Sequence, residues 1–365
     1  MSMVRATRTA IRLSLDTPGP DAMKGSSRQP LPVLLVSIDT EEDQWEPTLD
    51  APTTQNIREL PRLHEFLVDL GVRPTYFTNH AVAVEPESSA IIRDIAASGT
   101  AEIGAHLHPW NTPPPGADPL GRNTMLCNLP YALQRAKLKE VLDALTTATG
   151  SRPESFRAGR YGFDAQTARA LLELGVRIDS SVTPFTDWRT MDEGPDFSAA
   201  PLHVYRTGGA AADVSRRTAK GPLVEVPSSV GYTRHPFVLW HRVHSAIDHP
   251  RLRALRLAGV ASAMGLCRKV MLTPEGERTA DLVALSSRLL ELSPPYLHLT
   301  LHSPSMVPGL TPFTRTEGDV AEMLAGIRAV AELCRSRGGF TAMTVSEAAA
   351  WFAPTASRDT GRPLR

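Results

Sequence analysis

The chain has 365 residues, enough for one large domain or two medium ones with a substantial core. Its 39 Lys and Arg residues balance its 39 Asp and Glu residues, so no overall charge favours a nucleic-acid partner or an anionic membrane. No apolar run approaches the roughly 20 residues of a membrane span, and the three cysteines lie far apart in sequence, as in reducing compartments. We therefore expect a cytoplasmic protein; the sequence does not indicate its oligomeric state.

Strands and helices alternate along the chain. A continuous apolar, β-branched run at residues 33–38 predicts a strand buried on both faces. Apolar residues at helical spacing over residues 57–70, ended by Gly71, predict the helix that follows. The other predicted strands cover residues 74–78, 101–105, 155–158, 176–180, 223–226, 297–301 and 340–345. The other predicted helices cover residues 88–97, 131–149, 165–174, 249–270, 279–292, 317–337 and 346–352.

Repeated strand–helix units predict a mainly parallel sheet with helices outside it. We expect one domain at residues 31–353, since the chain has no internal repeat, low-complexity tract or clear linker. Residues 1–30 lack the apolar core of a secretory signal. We expect them, and residues 354–365, to be mobile tails.

Polar residues capable of chemistry occur where the predicted strands end. They are Asp39 and Glu41 at the first strand, His106 and His108 at the third, Arg157 and Arg160 at the fourth, Asp179 at the fifth, and His302 after residues 297–301. In an α/β barrel the carboxyl ends of the strands surround a common mouth, so residues distant in sequence converge there. This coincidence predicts a catalytic site.

Two imidazoles and a carboxylate from such strand ends form a divalent-metal site with open coordination positions. A His-x-His pair places both rings on the same side of an extended segment. Taken singly, each feature also has a structural interpretation: a solvated acidic loop, a structural histidine pair, or a loop anchor in the case of Trp110. His298 is more simply a core histidine, and we expect it to face away from His302.

The ordered motifs resemble those of the polysaccharide deacetylase (NodB-homology, carbohydrate esterase family 4-like) superfamily over about residues 31–352. More narrowly, His-Leu-His-Pro-Trp-Asn-Thr-Pro-Pro, Phe-Arg-Ala-Gly-Arg-Tyr-Gly and Leu-His-Ser-Pro-Ser-Met-Val-Pro-Gly resemble the WalW-type branch, which is associated with surface-polysaccharide gene clusters such as those for lipopolysaccharide. The resemblance implies a distorted (β/α) barrel of about seven parallel strands. It also implies a metal-dependent N- or O-deacetylase acting on an acylated sugar or polysaccharide precursor.

The resemblance also implies residue roles. Asp39 matches the general base, Arg157 the arginine that orients it, His302 the general acid, and Asp179 a partner of His302 or Arg157. His106 matches the first metal-binding histidine. The backbone of Arg160 and Tyr161 lies where the family cradles the oxyanion, and Trp110 and Tyr161 are candidates for stacking on a sugar ring.

Two positions depart from the family pattern. Thr40 replaces the aspartate that binds the metal, and Glu41 is its natural substitute. The usual His-x-x-x-His spacing is shortened to His106-x-His108. We expect Glu41, His106 and His108 to hold Zn²⁺, with Co²⁺, Ni²⁺ or Fe²⁺ as alternatives.

Other protein classes remain open to different degrees. An amidohydrolase barrel places His-x-His on its first strand, whereas two strand–helix units precede it here. A mononuclear iron oxygenase commonly combines His-x-Asp with an antiparallel fold. Two alternatives stay open: a hydrolase of a non-sugar, cyclic amide on the same barrel, and a non-catalytic carbohydrate-binding protein with a decayed site.

Overall fold

The first strand, β1 (Val33–Thr40), has all eight of its residues buried. Its apolar, β-branched sequence predicts this burial, because a strand covered on both faces needs no polar side. The computed structural model describes residues 31–48, 50–116, 120–208, 213–247 and 267–353. The other strands are β2 (Thr75–Thr78), β3 (Glu102–Leu107), β4 (Ser155–Ala158), β5 (Ile178–Asp179), β6 (Tyr205–Thr207), β7 (Leu223–Glu225), β8 (Val230–Tyr232), β9 (Lys269–Met271), β10 (Tyr296–His302) and β11 (Thr341–Ala342).

Seven of these strands form a continuous parallel series in the order β10-β1-β2-β3-β4-β5-β7. Strand β6 pairs antiparallel with β7 at one edge, and β11 pairs in parallel with β1. The prediction of a distorted (β/α) barrel with about seven parallel strands is therefore confirmed. Among the described residues, β8 and β9 form a separate antiparallel pair.

The chain leaving β7 bridges the two ends of this curled sheet. The amide of Ser228 donates to the carbonyl of Val182, just beyond β5 (3.1 Å), and the amide of Ser229 donates to the carbonyl of His298 in β10 (3.2 Å). Thr300 of β10 in turn donates to Leu272, which follows β9. These bonds bring the carboxyl ends of β1, β5 and β10 around one mouth.

Helices cover the outside of the sheet. The helices predicted at 131–149 and 317–337 agree closely with the structure, and Gly150, with a φ of 77°, ends the helix that begins at Tyr131. The alternate residues Leu297, Leu299 and Leu301 of β10 are fully buried against this helical layer. The helices are α1 (Leu60–Asp69), α2 (His80–Val84), α3 (Pro86–Ala97), α4 (Tyr131–Thr149), α5 (Ala165–Glu173), α6 (Phe237–Ile247), α7 (Thr279–Leu289), α8 (Glu317–Ser336) and α9 (Val345–Phe352).

Several predicted elements differ from those observed. Most of the helix predicted at 249–270 lies outside the described residues, but its last two residues belong to β9. The strand predicted at 340–345 is only two residues long, because a Thr344 capping box starts α9 at once. Three-residue strands such as β6 and β8 are too short for a periodic signal.

The described residues, which begin at Leu31, belong to one compact unit. The tails predicted at residues 1–30 and 354–365 lie outside the described residues. No helix in the described part of the chain combines the length and apolar character needed to cross a bilayer.

Candidate active site

Three predicted ligands meet at the mouth of the barrel. The carboxylate of Glu41, just after β1, lies 3.3 Å from Nε2 of His106 and 3.3 Å from Nε2 of His108. The two Nε2 atoms lie 3.1 Å apart, and all three side chains are buried. Within the described residues, this is the group of His, Cys, Asp and Glu side chains whose donor atoms converge closely enough to hold an ion.

The outer nitrogens of both imidazoles have partners that define their tautomers. Nδ1 of His106 lies 3.0 Å from the carbonyl oxygen of Arg157, which can only accept, so this nitrogen carries the proton. Nδ1 of His108 lies 2.9 Å from the carboxylate of Glu42. Each Nε2 is therefore left with a lone pair directed at the same point, as in carboxylate–histidine–metal arrangements.

This donor set fits a divalent metal. A tetrahedral ion with metal–nitrogen distances of about 2.0–2.1 Å separates its ligand atoms by about 3.3 Å, close to the spacing of Glu41, His106 and His108. Two lone pairs and a carboxylate at this separation would repel one another without a cation. Burial raises the pKa of Glu41 above its ordinary value, a cost that a bound cation offsets.

Asp39 lies beside this group and is held by Arg157. Nη1 of Arg157 donates to Asp39 at 2.7 Å, Nε donates to the carbonyl of Ser180 at 2.9 Å, and the guanidinium lies over the ring of Phe77. Burial opposes ionisation of Asp39, but the charges of Arg157, His106 and His302 and the Arg157 hydrogen bond lower its pKa to about 2. Asp39 is therefore a carboxylate at neutral pH.

His302 faces Asp39 from the adjacent strand β10, with its Nε2 3.7 Å from the carboxylate. Its Nδ1 lies 2.8 Å from Glu275, a buried carboxylate in the loop after β9. Burial opposes protonation of His302, but Glu275, Glu41 and Asp39 raise its pKa to about 10. The edge of the Trp45 ring packs against the imidazole. The site therefore pairs an ionised acid with a protonated histidine.

A cleft of about 350 Å³ opens above these groups. Trp110 stacks on His108 at 4.1 Å and donates its indole N–H to Glu42. Tyr161 stacks on Trp188 at 5.0 Å. Arg160 forms an ion pair with Asp192. The predicted substrate-binding residues Trp110, Arg160 and Tyr161 all line the cleft, together with Trp45, Trp188 and Phe313.

The backbone at Arg160 and Tyr161 is unusual. Their φ angles are 53° and 60°, a left-handed conformation that non-glycine residues rarely adopt. The two residues directly follow β4 and lie against the cleft. Such strained backbone is typical of functional sites, where the surrounding structure enforces it.

Two expectations about neighbouring residues need correction. Of the two partners suggested for Asp179, His302 is wrong, because the carboxylate partner of His302 is Glu275. Arg157, the other suggested partner, lies near enough for its charge to lower the pKa of Asp179. Asp179 accepts hydrogen bonds from the amide and hydroxyl of Ser181 and interacts with Glu225. His298 does not face away from His302. Residues an even number of positions apart in a strand share a face. His298 precedes His302 by four residues in β10, so it lies deeper on the same inward face.

His298 is nevertheless the core histidine that we expected. It is fully buried, 2.8 Å from the hydroxyl of Ser37, and its Nδ1 lies 3.2 Å from the carbonyl of Pro227. Burial and the charge of Arg157 lower its pKa to about 3. His298 is therefore an uncharged side chain buried beneath the site.

Glu42 and Glu275 contact the predicted site residues but were not singled out from the sequence. Glu42 lies in the same acidic segment, residues 39–43, as Asp39 and Glu41. Its position in the sequence could therefore have identified it as a candidate site residue. Glu275 carries no such signal, because it lies in an irregular loop far from every motif.

Comparison with solved structures places the fold in the deacetylase-type α/β barrels. A candidate polysaccharide deacetylase from Mycobacterium smegmatis matches with a TM-score of 0.51 at 20% identity, over 93% of this chain and 97% of that one. A candidate glycoside hydrolase/deacetylase from Parabacteroides distasonis matches with a TM-score of 0.53 at 12% identity, over 90% and 72%. PuuE allantoinase matches with a TM-score of 0.50 at 14% identity, over 97% and 100%.

At these identities the likeness concerns the fold. No protein-family model matches the chain, and no curated protein matches it. The fold that the motif resemblance implies is thus confirmed by structural comparison.

Proposed function

We propose that the protein is a metal-dependent hydrolase that removes acetyl or similar acyl groups from an amino sugar or a surface-polysaccharide precursor. The observation that carries the proposal is the convergence of Glu41, His106 and His108 beside an ionised Asp39 and a protonated His302. A site of this kind contains a metal ligand set, a base and an acid within one cleft.

Glu41, His106 and His108 would hold the ion. Zn²⁺ is our first expectation, and Co²⁺, Ni²⁺ and Fe²⁺ are accepted by the same donor types. When bound, such an ion polarises a carbonyl and lowers the pKa of water. The carboxylate of Glu42 keeps His108 in the tautomer that directs Nε2 inward.

Asp39 takes the proton from the attacking water. Its fixed hydrogen bond to Arg157 holds one oxygen in place and leaves the other, 3.7 Å from His302, directed toward the cleft. Arg157, whose side chain is fully buried, thus positions the base.

His302 protonates the leaving amine or alkoxide, as a general acid must when the leaving group is poor. Its partner Glu275 fixes the ring and keeps it protonated. The left-handed backbone at Arg160 and Tyr161 lines the cleft and would supply N–H donors to the oxyanion, each good donor contributing roughly 3–4 kcal/mol.

Trp110, Arg160 and Tyr161 would contact the substrate. The aromatic rings offer flat apolar surface to the carbon face of a sugar, and Arg160 offers hydrogen-bond donors. The WalW-like motifs favour a surface-polysaccharide precursor. A cytoplasmic location, as the cysteine pattern favours, would suit a nucleotide- or lipid-linked sugar.

A second candidate is the hydrolysis of a cyclic amide. Its support is the structural likeness to PuuE allantoinase over nearly the whole of both chains. A cleft of about 350 Å³ walled by Trp45, Trp188 and Phe313 also suits a small substrate.

The test is acetate release from a panel of N- and O-acetylated sugars by protein loaded with Zn²⁺, Co²⁺, Ni²⁺ or Fe²⁺, with allantoin assayed in parallel. Release that disappears in Asp39→Asn supports the deacylase. Ring opening of allantoin without acetate release favours the second candidate. Saturable sugar binding without turnover of any substrate indicates a carbohydrate-binding protein.

A further inference from the structure

Two carboxyl side chains face each other beneath the site. Asp179 of β5 and Glu225 of β7 are direct partners across the parallel strands. Both are fully buried, with no exposed surface. The proposed reaction uses neither of them, so their proximity needs its own explanation.

Their hydrogen bonds are unequal. Asp179 accepts from the amide of Ser181 at 2.9 Å and from the Ser181 hydroxyl at 2.8 Å. Oε1 of Glu225 accepts from the amide of Val182 at 3.1 Å. Oε2 of Glu225 has no donor among the described residues, although it is buried. A buried oxygen in this position is satisfied if it carries a proton and donates it.

Among the described residues, three groups near the pair direct their donors elsewhere. The hydroxyl of Tyr205 donates to the carbonyl of Val214 at 2.8 Å, and that of Tyr296 donates to the carbonyl of Pro227 at 2.7 Å. Arg157, the nearby cation, directs its guanidinium N–H groups to Asp39 and Ser180. Two adjacent buried carboxylates cannot both ionise without a cation between them.

We propose that Glu225 carries a proton on Oε2 and donates it to Asp179, and that this acid–carboxylate pair positions Arg157 against the base Asp39. Burial raises the pKa of both groups, and the negative charge of Asp179 raises that of Glu225 further. The proton belongs on Glu225, because Asp179 already accepts two hydrogen bonds that stabilise its negative charge.

The pair acts through the segment after β5. Ser181, held by Asp179, accepts from the amide of Ala158 at 2.9 Å and so fixes the end of β4. Ser180 accepts from Nε and Nη2 of Arg157 at 2.9 and 3.0 Å. Without the Glu225 proton, repulsion between the carboxylates would displace this segment and with it the guanidinium.

Separate experiments test the location of the proton on Glu225 and the positioning of Arg157. Infrared spectroscopy of the metal-free protein at pH 7 should show the carbonyl stretch of protonated carboxylic acids. One component of this band should be lost in Glu225→Gln and kept in Glu41→Gln, which removes any contribution from a protonated Glu41. The measurement needs neither metal nor substrate. An unchanged band in Glu225→Gln would overturn the assignment of the proton.

The positioning part rests on the proposed hydrolase function. Gln reproduces a protonated Glu, because its amide donates to Asp179 while its oxygen accepts from Val182. Glu225→Gln should therefore keep kcat within about threefold of the wild type. Glu225→Asp, whose acid is too short to reach Asp179, and Glu225→Ala should lower kcat by about 100-fold with little change in KM, the effect expected of a misplaced catalytic group.

Glu102→Gln is the matched control. Glu102 is a carboxylate with several donors, including Ser155 and Ser346, at the opposite ends of the strands. The control should lower thermal stability without changing kcat. If Glu225→Ala does not fold, Glu225→Asp carries the comparison. Wild-type kcat in Glu225→Asp would overturn the positioning role. A wild-type protein that shows the infrared band but hydrolyses no substrate would refute the hydrolase function and leave the proton assignment standing.

Discussion

Replacing Glu275 with Gln would test whether His302 acts as an acid. Glu275 accepts from the His302 amide at 3.1 Å, from Nδ1 of the same residue at 2.8 Å, and from the hydroxyl of Ser305. Gln has nearly the same shape and still offers an accepting oxygen. The substitution therefore removes a charge while leaving most of the packing in place.

The expected magnitude follows from the charges around His302. Burial lowers its pKa, and Glu275 is the largest of the influences that together raise it to about 10. Without that charge the pKa falls, so the protonated fraction at neutral pH declines and the alkaline limb of the pH–rate profile moves to lower pH. General acids contribute about 10²–10⁴-fold. We expect roughly 100-fold slower hydrolysis of an acetamido sugar at pH 8 and a smaller loss at pH 6.

The assay compares two leaving groups. An acetamido sugar needs protonation of its amine, whereas an activated aryl acetate releases a phenolate that needs no acid, so Glu275→Gln should slow only the first. Glu277→Gln is the control, since Glu277 is two residues away and pairs with Arg268. Equal slowing of both substrates, or an equal effect of Glu277→Gln, would refute the general-acid role of His302.

Three further predictions concern the metal site. The double variant His106→Ala/His108→Ala should lose the one equivalent of divalent metal that elemental analysis finds in the wild type; equal metal in both proteins would contradict the ligand set. Asp39→Asn should abolish turnover and keep its metal, whereas Glu41→Gln should lose metal, and the reverse pattern would make Asp39 the ligand. Glu42→Gln should weaken metal affinity by about 10–100-fold, as loss of a ligand's hydrogen-bonding partner does; a competition assay with a chromogenic chelator measures this, and unchanged affinity would mean that Glu42 does not orient His108.

Residues that are close in sequence or at strand ends were predictable, whereas their buried partners were not. The strand period and the barrel hypothesis together predict that Asp39, His106 and His302 converge. The resemblance suggested Asp179, which also ends a strand, as a partner of His302 or Arg157. The true partner, Glu275, reaches His302 because Leu272, just after β9, is hydrogen-bonded to Thr300 of β10. A three-residue strand such as β9 gives no periodic signal, so this pairing could not be predicted.

The metal ligands depend on the curvature of the sheet as much as on their spacing in the sequence. Strands β1 and β3 are separated by β2, and two strand spacings of about 4.8 Å would place their backbones about 10 Å apart in a flat sheet. Glu41 and His106 nevertheless approach to 3.3 Å, because both side chains lean into the concave side of a curled sheet. The carboxylate at position 41 and the shortened histidine spacing are compatible with one site. Glu41 lies two residues after Asp39 and His108 two residues after His106, so the members of each pair point to the same face, the concave one.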